Sequence, residues 1–228
     1  MGGIRRVWIT RAEPGASRTA DRLRFIGFEP IVRPLLAIRH LSPALDLDGI
    51  DAIAFTSRNG VEAFAALTPE RSRLVLAVGD ATAEAARVAG FERVTSARGD
   101  IAALAALIRH VLPPGAMIEH VAATVTAGDL ASAVGPDVAV RTIVAYEAVE
   151  TGATAPDIFD AVLIHSPRAA RALASRIVSD VAARTIAVAI SRAAAEPLID
   201  LGFRAIRIAD RPDDAAITAA LGKPGAPV

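Results

Sequence analysis

The chain has 228 residues, with 25 Lys plus Arg against 25 Asp plus Glu, and aromatic residues make up only 4% of it. Balanced charge and few rings argue against a nucleic-acid surface, which needs basic patches and stacking platforms. The lack of cysteine excludes disulfides, thiolate metal sites and thiol nucleophiles and makes the cytoplasm the default location, while no run approaches the roughly 20 apolar residues of a membrane span.

Short apolar runs alternate with alanine-rich helical stretches. VWIT (7–10) precedes a helix near 16–27, AIAFTS (52–57) precedes 59–67, and LVLAVG (74–79) precedes 80–89. Further on, MIEHVA (117–122) precedes 127–134, AVLIHS (161–166) precedes 168–178, and TIAVAI (185–190) precedes 191–201. Strands without polar alternation, separated by helices, read as parallel strands buried on both faces, so the class is α/β, doubly wound. Two extended runs, 28–41 and 138–150, have no helix before the next strand, and Pro30 and Pro34 make the first an edge or a connector. The tail 222–228 is expected to be disordered.

The chain also repeats itself. Asp51-Ala52 with Ser57 and Ala63 recurs as Asp160-Ala161 with Ser166 and Ala172, and AVGDATAEAARVAGF (77–91) recurs as AISRAAAEPLIDLGF (189–203). IVRPLL (31–36) likewise faces AVRTIV (139–144). A period of about 110 residues suits a duplicated domain and is too long for a solenoid. The expectation is two similar lobes with a cleft between them. One would hold 1–34 plus 149–228 and the other 38–145, with linkers near 34–38 and 145–149.

In open parallel sheets ligands bind beyond the carboxyl ends of strands. The residues there are Thr10 and Arg11; Ser57, Asn59 and Gly60; Gly79 and Thr82; Ser166, Pro167 and Arg168; and Ser191 and Arg192. Helix-start amides beside hydroxyls and arginines suit a phosphate or carboxylate, although capping by Ser and Thr explains any single one equally well. Tyr146, the only tyrosine, falls in the second linker. Its phenol could donate a proton, and its ring could simply pack at a hinge. His40, His110, His120 and His165 show no metal spacing, and they read as surface or packing residues. No nucleotide-binding glycine motif is present, so neither a cofactor nor a metal is expected.

Taken in order, the segments VWITRAEPGASRTADRLRFIGFEPIVRPLLAI, DAIAFTSRNGVEAF, AVGDATAEAARVAGF, IVAYEAV, DAVLIHSPRAARAL and PDDAAITAAL resemble those of the uroporphyrinogen-III synthase family, from about Val7 to Leu221. The resemblance implies two flavodoxin-like lobes with parallel sheets, joined by a two-stranded linker. It also implies a monomeric hydro-lyase of tetrapyrrole biosynthesis with no cofactor. Such an enzyme closes hydroxymethylbilane, a small molecule carrying eight carboxylates, into uroporphyrinogen III with loss of water and inversion of the last ring. Tyr146 then becomes the candidate to assist departure of the hydroxyl, and the strand-end residues named above become substrate contacts. Two places depart from the family pattern. Ala123, Thr124 and Thr126 stand where a glycine and arginines are usual, and Ser191, Arg192, Ala193 and Ala194 stand where Gly-Pro-Thr-Thr is common. The expectation is one anion contact fewer. Two other readings fit the residues less fully: a non-catalytic two-lobed module binding a polycarboxylate or other small anion, and a flavodoxin-like redox or signalling lobe, which would need a flavin phosphate loop or an acidic receiver pocket.

Overall fold

The structure, a computed structural model, describes residues 3–126 and 128–225. In chain order the elements open with β1 (Arg6–Ile9), α1 (Gly15–Phe25), β2 (Glu29–Val32), β3 (Leu36–His40), β4 (Ala52–Phe55) and α2 (Arg58–Leu67). There follow β5 (Leu74–Ala77), α3 (Asp80–Val88), β6 (Arg93–Ser96), α4 (Ile101–Val111), β7 (Met117–Ala123), α5 (Leu130–Val134) and β8 (Ala139–Glu150). The chain closes with β9 (Ala161–Ile164), α6 (Pro167–Ala174), α7 (Ser179–Arg184), β10 (Ile186–Ala189), α8 (Arg192–Ala195), a 3-10 turn (Glu196–Leu201), β11 (Ala205–Ile208) and α9 (Asp214–Ala219).

The chain divides into two compact units, residues 1–37 with 149–228, and residues 38–148. The first unit has a five-stranded sheet in the order β2-β1-β9-β10-β11, every neighbouring pair parallel. Numbered within the unit that order is 2-1-3-4-5, the flavodoxin-like doubly wound arrangement, with its switch point between β1 and β9. The second unit has the order β8-β7-β4-β5-β6, again parallel, with β3 added outside β8. This is the same arrangement begun at a different strand, and its switch point lies between β7 and β4. The chain passes between the units through β3 and β8. Leu41 N–H donates to Ala145 O and Thr151 N–H to Leu35 O, so these two linker strands run antiparallel.

The repeated aspartates have a common job. Asp160, just before β9, accepts from the backbone amides of Arg5 and Arg6 at the start of β1 (3.0 and 2.7 Å). Asp51, just before β4, accepts from Met117 N–H at the start of β7 (2.8 Å). Each carboxylate satisfies amides that the neighbouring strand would otherwise leave open at the amino end of a switch-point pair. Strands β4, β9 and β10 are buried at every residue, which explains their uninterrupted apolar sequences.

Several elements differ from the sequence expectation. Helix α4 is missing from it, although Ile101, Leu104, Ala105 and Ile108 follow helical spacing and the last three are buried. The short strands β6 and β11 and helix α9 are also unanticipated. The helix expected over 191–201 stops after Ala195 and continues as a 3-10 turn, because Pro197 has no amide to donate to the previous turn. The helix expected over 168–178 ends at Ala174, and α7 takes up the chain again at Ser179. The expected helix 127–134 is found as Leu130–Val134, and its first residue, Ala127, lies outside the described residues. The tail differs as well: Gly222 N–H donates to Ala219 O and Gly225 N–H to Ile4 O, while 226–228 lie outside the described residues. Pro30 sits in β2, which is an edge strand.

Candidate active site

The carboxyl ends of β4 and β7 open onto a cavity of about 700 Å³ within the second unit. This is the switch point of that sheet, where doubly wound folds hold their ligands. Beneath it, Phe55 packs edge-on against Phe64 and Phe91, with ring centroids 5.7 and 5.6 Å away. That aromatic base fixes the end of β4 and therefore Thr56 and Ser57.

Ser57 is extended (φ −156°) and caps α2, its Oγ accepting from Gly60 N–H at 3.0 Å. Gly60 itself presses on β7, and a Cβ there would stand 3.1 Å from Val121 O. A side chain at this position would crowd Val121 O, so glycine lets the first turn of α2 sit close to β7 without strain. Ser57 Oγ also lies 2.7 Å from Tyr146 Oη. Since Oγ already accepts from Gly60, its own hydrogen can go to the phenol oxygen, which leaves the phenol hydrogen for a ligand.

Tyr146 reaches the cavity through a β-bulge. Ala122 pairs with Val144 but Ala123 pairs with Tyr146, so two residues of β8 face one of β7. Ile143, Val144 and Ala145 alternate in and out, and the bulge then turns Tyr146 inward directly after the buried Ala145. Thr124 N–H closes the bulge on Tyr146 O at 3.0 Å. Burial raises the phenol above its usual pKa, with the Ser57 hydrogen bond pulling the other way, so the group is fully protonated at neutral pH.

His120 lies on the same side of β7, 3% exposed, with Nε2 3.2 Å from Thr56 Oγ1. Burial lowers its pKa below 6.5, and Asp129 acts weakly against that, so the imidazole is neutral at neutral pH. The preceding residue, Glu119, points to the opposite face and pairs with Arg141 at 2.6 Å. Desolvation raises the Glu119 carboxyl despite that partner. The other walls come from Val78, Asp100, Ile101, Ala123, Val125 and Thr126, among others. None of the described lining residues is a cation at neutral pH. The cavity therefore offers hydroxyls, a phenol, a neutral imidazole, the Asp100 carboxylate and apolar surface, which suits an uncharged ring better than a carboxylate.

The remaining residues singled out in the sequence are placed differently. In the second unit, Gly79 caps α3, Thr82 is buried in that helix with its amide on Gly79 O, and Asn59 is half-buried in α2; none of them is among the lining residues. Gly60 is a packing residue whose amide is used by the cap, so it offers nothing to an anion.

In the first unit, Thr10 is fully buried and its hydroxyl donates to Leu163 O at 2.7 Å. Arg11 pairs with Asp214 at 2.6 Å and reaches Thr19 Oγ1 at 3.4 Å. Ser166 caps α6 through Ala169 N–H, Pro167 opens that helix, and Ser191 caps α8 through Ala194 N–H. Arg168 is half-buried and Arg192 exposed, and neither forms an ion pair among the described residues. Of the positions that depart from the family pattern, Ala123 and Thr126 line the cavity, Thr124 closes the bulge, Ala193 is exposed and Ala194 is buried.

His120 is the site residue that sequence reasoning sets aside. Its signal is the Glu119-His120 pair in the middle of an apolar central strand, two ionisable groups that a doubly covered strand seldom buries without partners. Among the described residues, no cluster of three or more His, Cys, Asp or Glu could hold a metal, and no helix is long and apolar enough to cross a membrane.

Comparison with solved structures gives two useful likenesses in fold. The crystal structure of uroporphyrinogen-III synthetase from Helicobacter pylori 26695 superimposes with a TM-score of 0.64 at 18% identity, covering 94% of this chain and 96% of that one. A mutant uroporphyrinogen III synthase from the extremely thermophilic bacterium Thermus thermophilus gives 0.52 at 16% identity, covering 94% and 96%. No curated protein sequence matches the chain significantly. The family model for uroporphyrinogen-III synthase HemD matches residues 17–219, nearly the whole chain and the whole of the cavity just described. The chain belongs to the uroporphyrinogen-III synthase family.

Proposed function

We propose that this chain converts hydroxymethylbilane to uroporphyrinogen III, as a cytoplasmic monomer, with the reacting end of the substrate in the cavity at β4 and β7. The observation that carries the site assignment is the 2.7 Å contact between Tyr146 Oη and Ser57 Oγ inside that cavity. Hydroxide is a poor leaving group, and a proton delivered to the hydroxymethyl oxygen lets it depart as water. Tyr146 is suited to deliver it, because burial keeps its phenol protonated and Ser57 orients the oxygen from behind. Departure leaves an electron-poor methylene, an azafulvene, which the last pyrrole attacks to give a spiro intermediate on the way to the inverted ring. Walls of alanine, valine and isoleucine give that electrophile no nucleophile of their own and can position the two ends of the bilane against each other. Within the first unit we propose Arg168 and Arg192, the cations beside the caps of α6 and α8, as anion-binding residues.

The test is chemical. Purified protein is given fresh hydroxymethylbilane, the products are oxidised, and the uroporphyrin I and III isomers are separated by chromatography. Isomer III formed faster than spontaneous closure is the expected result. Isomer I alone would overturn the reading and leave a two-lobed binding protein.

A further inference from the structure

We propose that His120 is the proton acceptor of the cyclisation, taking up the hydrogen that the terminal pyrrole carbon must lose while Thr56 holds the imidazole in place. The proposal rests on the synthase reading above and extends it to a residue outside the family resemblance.

The reaction's atom balance requires such a group. Closing a linear hydroxymethylbilane with loss of one water breaks the C–O bond of the hydroxymethyl group and the C–H bond at the free α-carbon of the terminal pyrrole. Inversion breaks one further C–C bond of that ring and makes two, so the net gain is one C–C bond. The oxygen leaves with its own hydrogen and one added proton. The α-carbon gives up one proton, and the electron pair of that C–H bond returns to the ring and restores its aromaticity. One group must therefore give a proton at oxygen and another must accept one from carbon.

Tyr146 fills the first role, and acting alone it would remain as a phenolate in a cavity with no cation among its described lining residues. His120 lines the same cavity. When its Nε2–H donates to Thr56 Oγ1, the lone pair sits on Nδ1, which has no hydrogen-bond partner among the described residues. Protonating it creates an imidazolium in the same cavity as the phenolate, and returning the proton from one to the other restores both groups for the next turnover.

The environments push the two groups in the directions these roles need. Burial keeps the phenol protonated and the imidazole neutral. The charged and titratable groups facing His120 are Asp129, which favours the imidazolium, together with Asp100 and Tyr146 across the cavity. Glu119 and Arg141 are paired on the other face of the strand.

The experiment compares the wild type with His120→Gln, whose amide keeps a hydrogen bond to Thr56 but cannot take a proton. The substrate carries hydrogen or deuterium at the free α-carbon of its terminal pyrrole. The expected result is a fall in kcat of about 100-fold or more with KM little changed. A primary deuterium isotope effect should appear or grow in the variant as C–H cleavage becomes limiting, and the acid limb of the wild-type pH profile should disappear. Thr56→Val, which frees the ring without removing it, should show the same isotope signature with a smaller loss, and it serves if His120→Gln does not fold. A His120→Gln enzyme as fast as the wild type, or one slowed with no isotope effect, overturns the proposal and leaves Tyr146 to recover its own proton. A wild type producing only isomer I strikes the synthase reading itself, and the two failures are distinguished by that control.

Discussion

The two units carry the same sheet arrangement and the same serine caps after their central strands, yet their switch points are finished differently. In the second unit Thr56, Ser57, His120 and Tyr146 face a cavity. In the first unit the corresponding groups are paired or buried: Thr10 donates to Leu163 O, Arg11 is paired with Asp214, and His165, where the repeat places Thr56, has a side chain 6% exposed with neither ring nitrogen in a hydrogen bond among the described residues. The shared strand arrangement gives the chain two switch points of one design. What separates them is whether the polar groups at the strand ends face a cavity or are buried and paired within the protein.

The largest effect should come from removing the one phenol. Tyr146→Phe should slow isomer III formation by about 100- to 1000-fold with little change in thermal midpoint, since the ring and its packing remain. A variant of wild-type speed would put the second unit's switch point on the same footing as the first.

His165 gives the matching test in the first unit. Burial, aided by Arg11, pushes its imidazolium down to about 3, against 6.5 in an unfolded chain. At 3.8 Å from Asp214 it is therefore neutral and not a partner in an ion pair. A depressed folded value means that the contribution is complete above pH 6.5 and is lost as the pH falls toward 3. Between pH 7 and 4.5 the wild type should lose about 2–3 kcal/mol by this route, on top of its carboxylates. Urea unfolding of His165→Leu at both values should show that increment missing. An unchanged pH dependence would mean that the first unit's switch point is open to water.

The repeated aspartates should differ in proportion to what they hold. Asp160→Ala strands two part-buried backbone amides and Asp51→Ala gives one exposed amide to water, so costs of about 2–3 and 0.5–1 kcal/mol are expected from denaturant melts. Equal losses would show that these clamps are not what fixes the strand starts.

The serine caps give the smallest and most discriminating pair. Ser57→Ala and Ser166→Ala should each cost about 1 kcal/mol of stability, because each removes one cap hydrogen bond. Only Ser57→Ala should also lower kcat, because only Ser57 touches Tyr146. If both variants lower kcat equally, the contrast between the units fails.

Much of the fold is readable from the sequence because doubly covered strands leave unbroken apolar runs such as AIAF and AVLI, and because serine and aspartate mark helix starts. What escapes is what depends on distant partners. Strands β6 and β11 are four residues each and only partly buried, so they leave little pattern. Helix α4 escapes although its periodicity is present, since alanine at several of its positions blurs the face. At the site, the family resemblance singles out Tyr146, but what turns its ring into the cavity is a bulge set by pairing with Ala123, and register of that kind is not written locally. His120 is passed over because a single histidine in a strand is ordinarily a packing residue. Its meaning comes from Thr56, 64 positions away and in contact only once the sheet has formed.

The central claim is that the second unit holds a buried, protonated phenol ready to act as a donor, and the composition allows a direct reading of it. Tyr146 is the only tyrosine, so the rise of tyrosinate absorbance with pH, followed while circular dichroism shows the fold intact, reports that one group. A midpoint clearly above 10 is the predicted result, and a midpoint at or below 10 would contradict the buried donor.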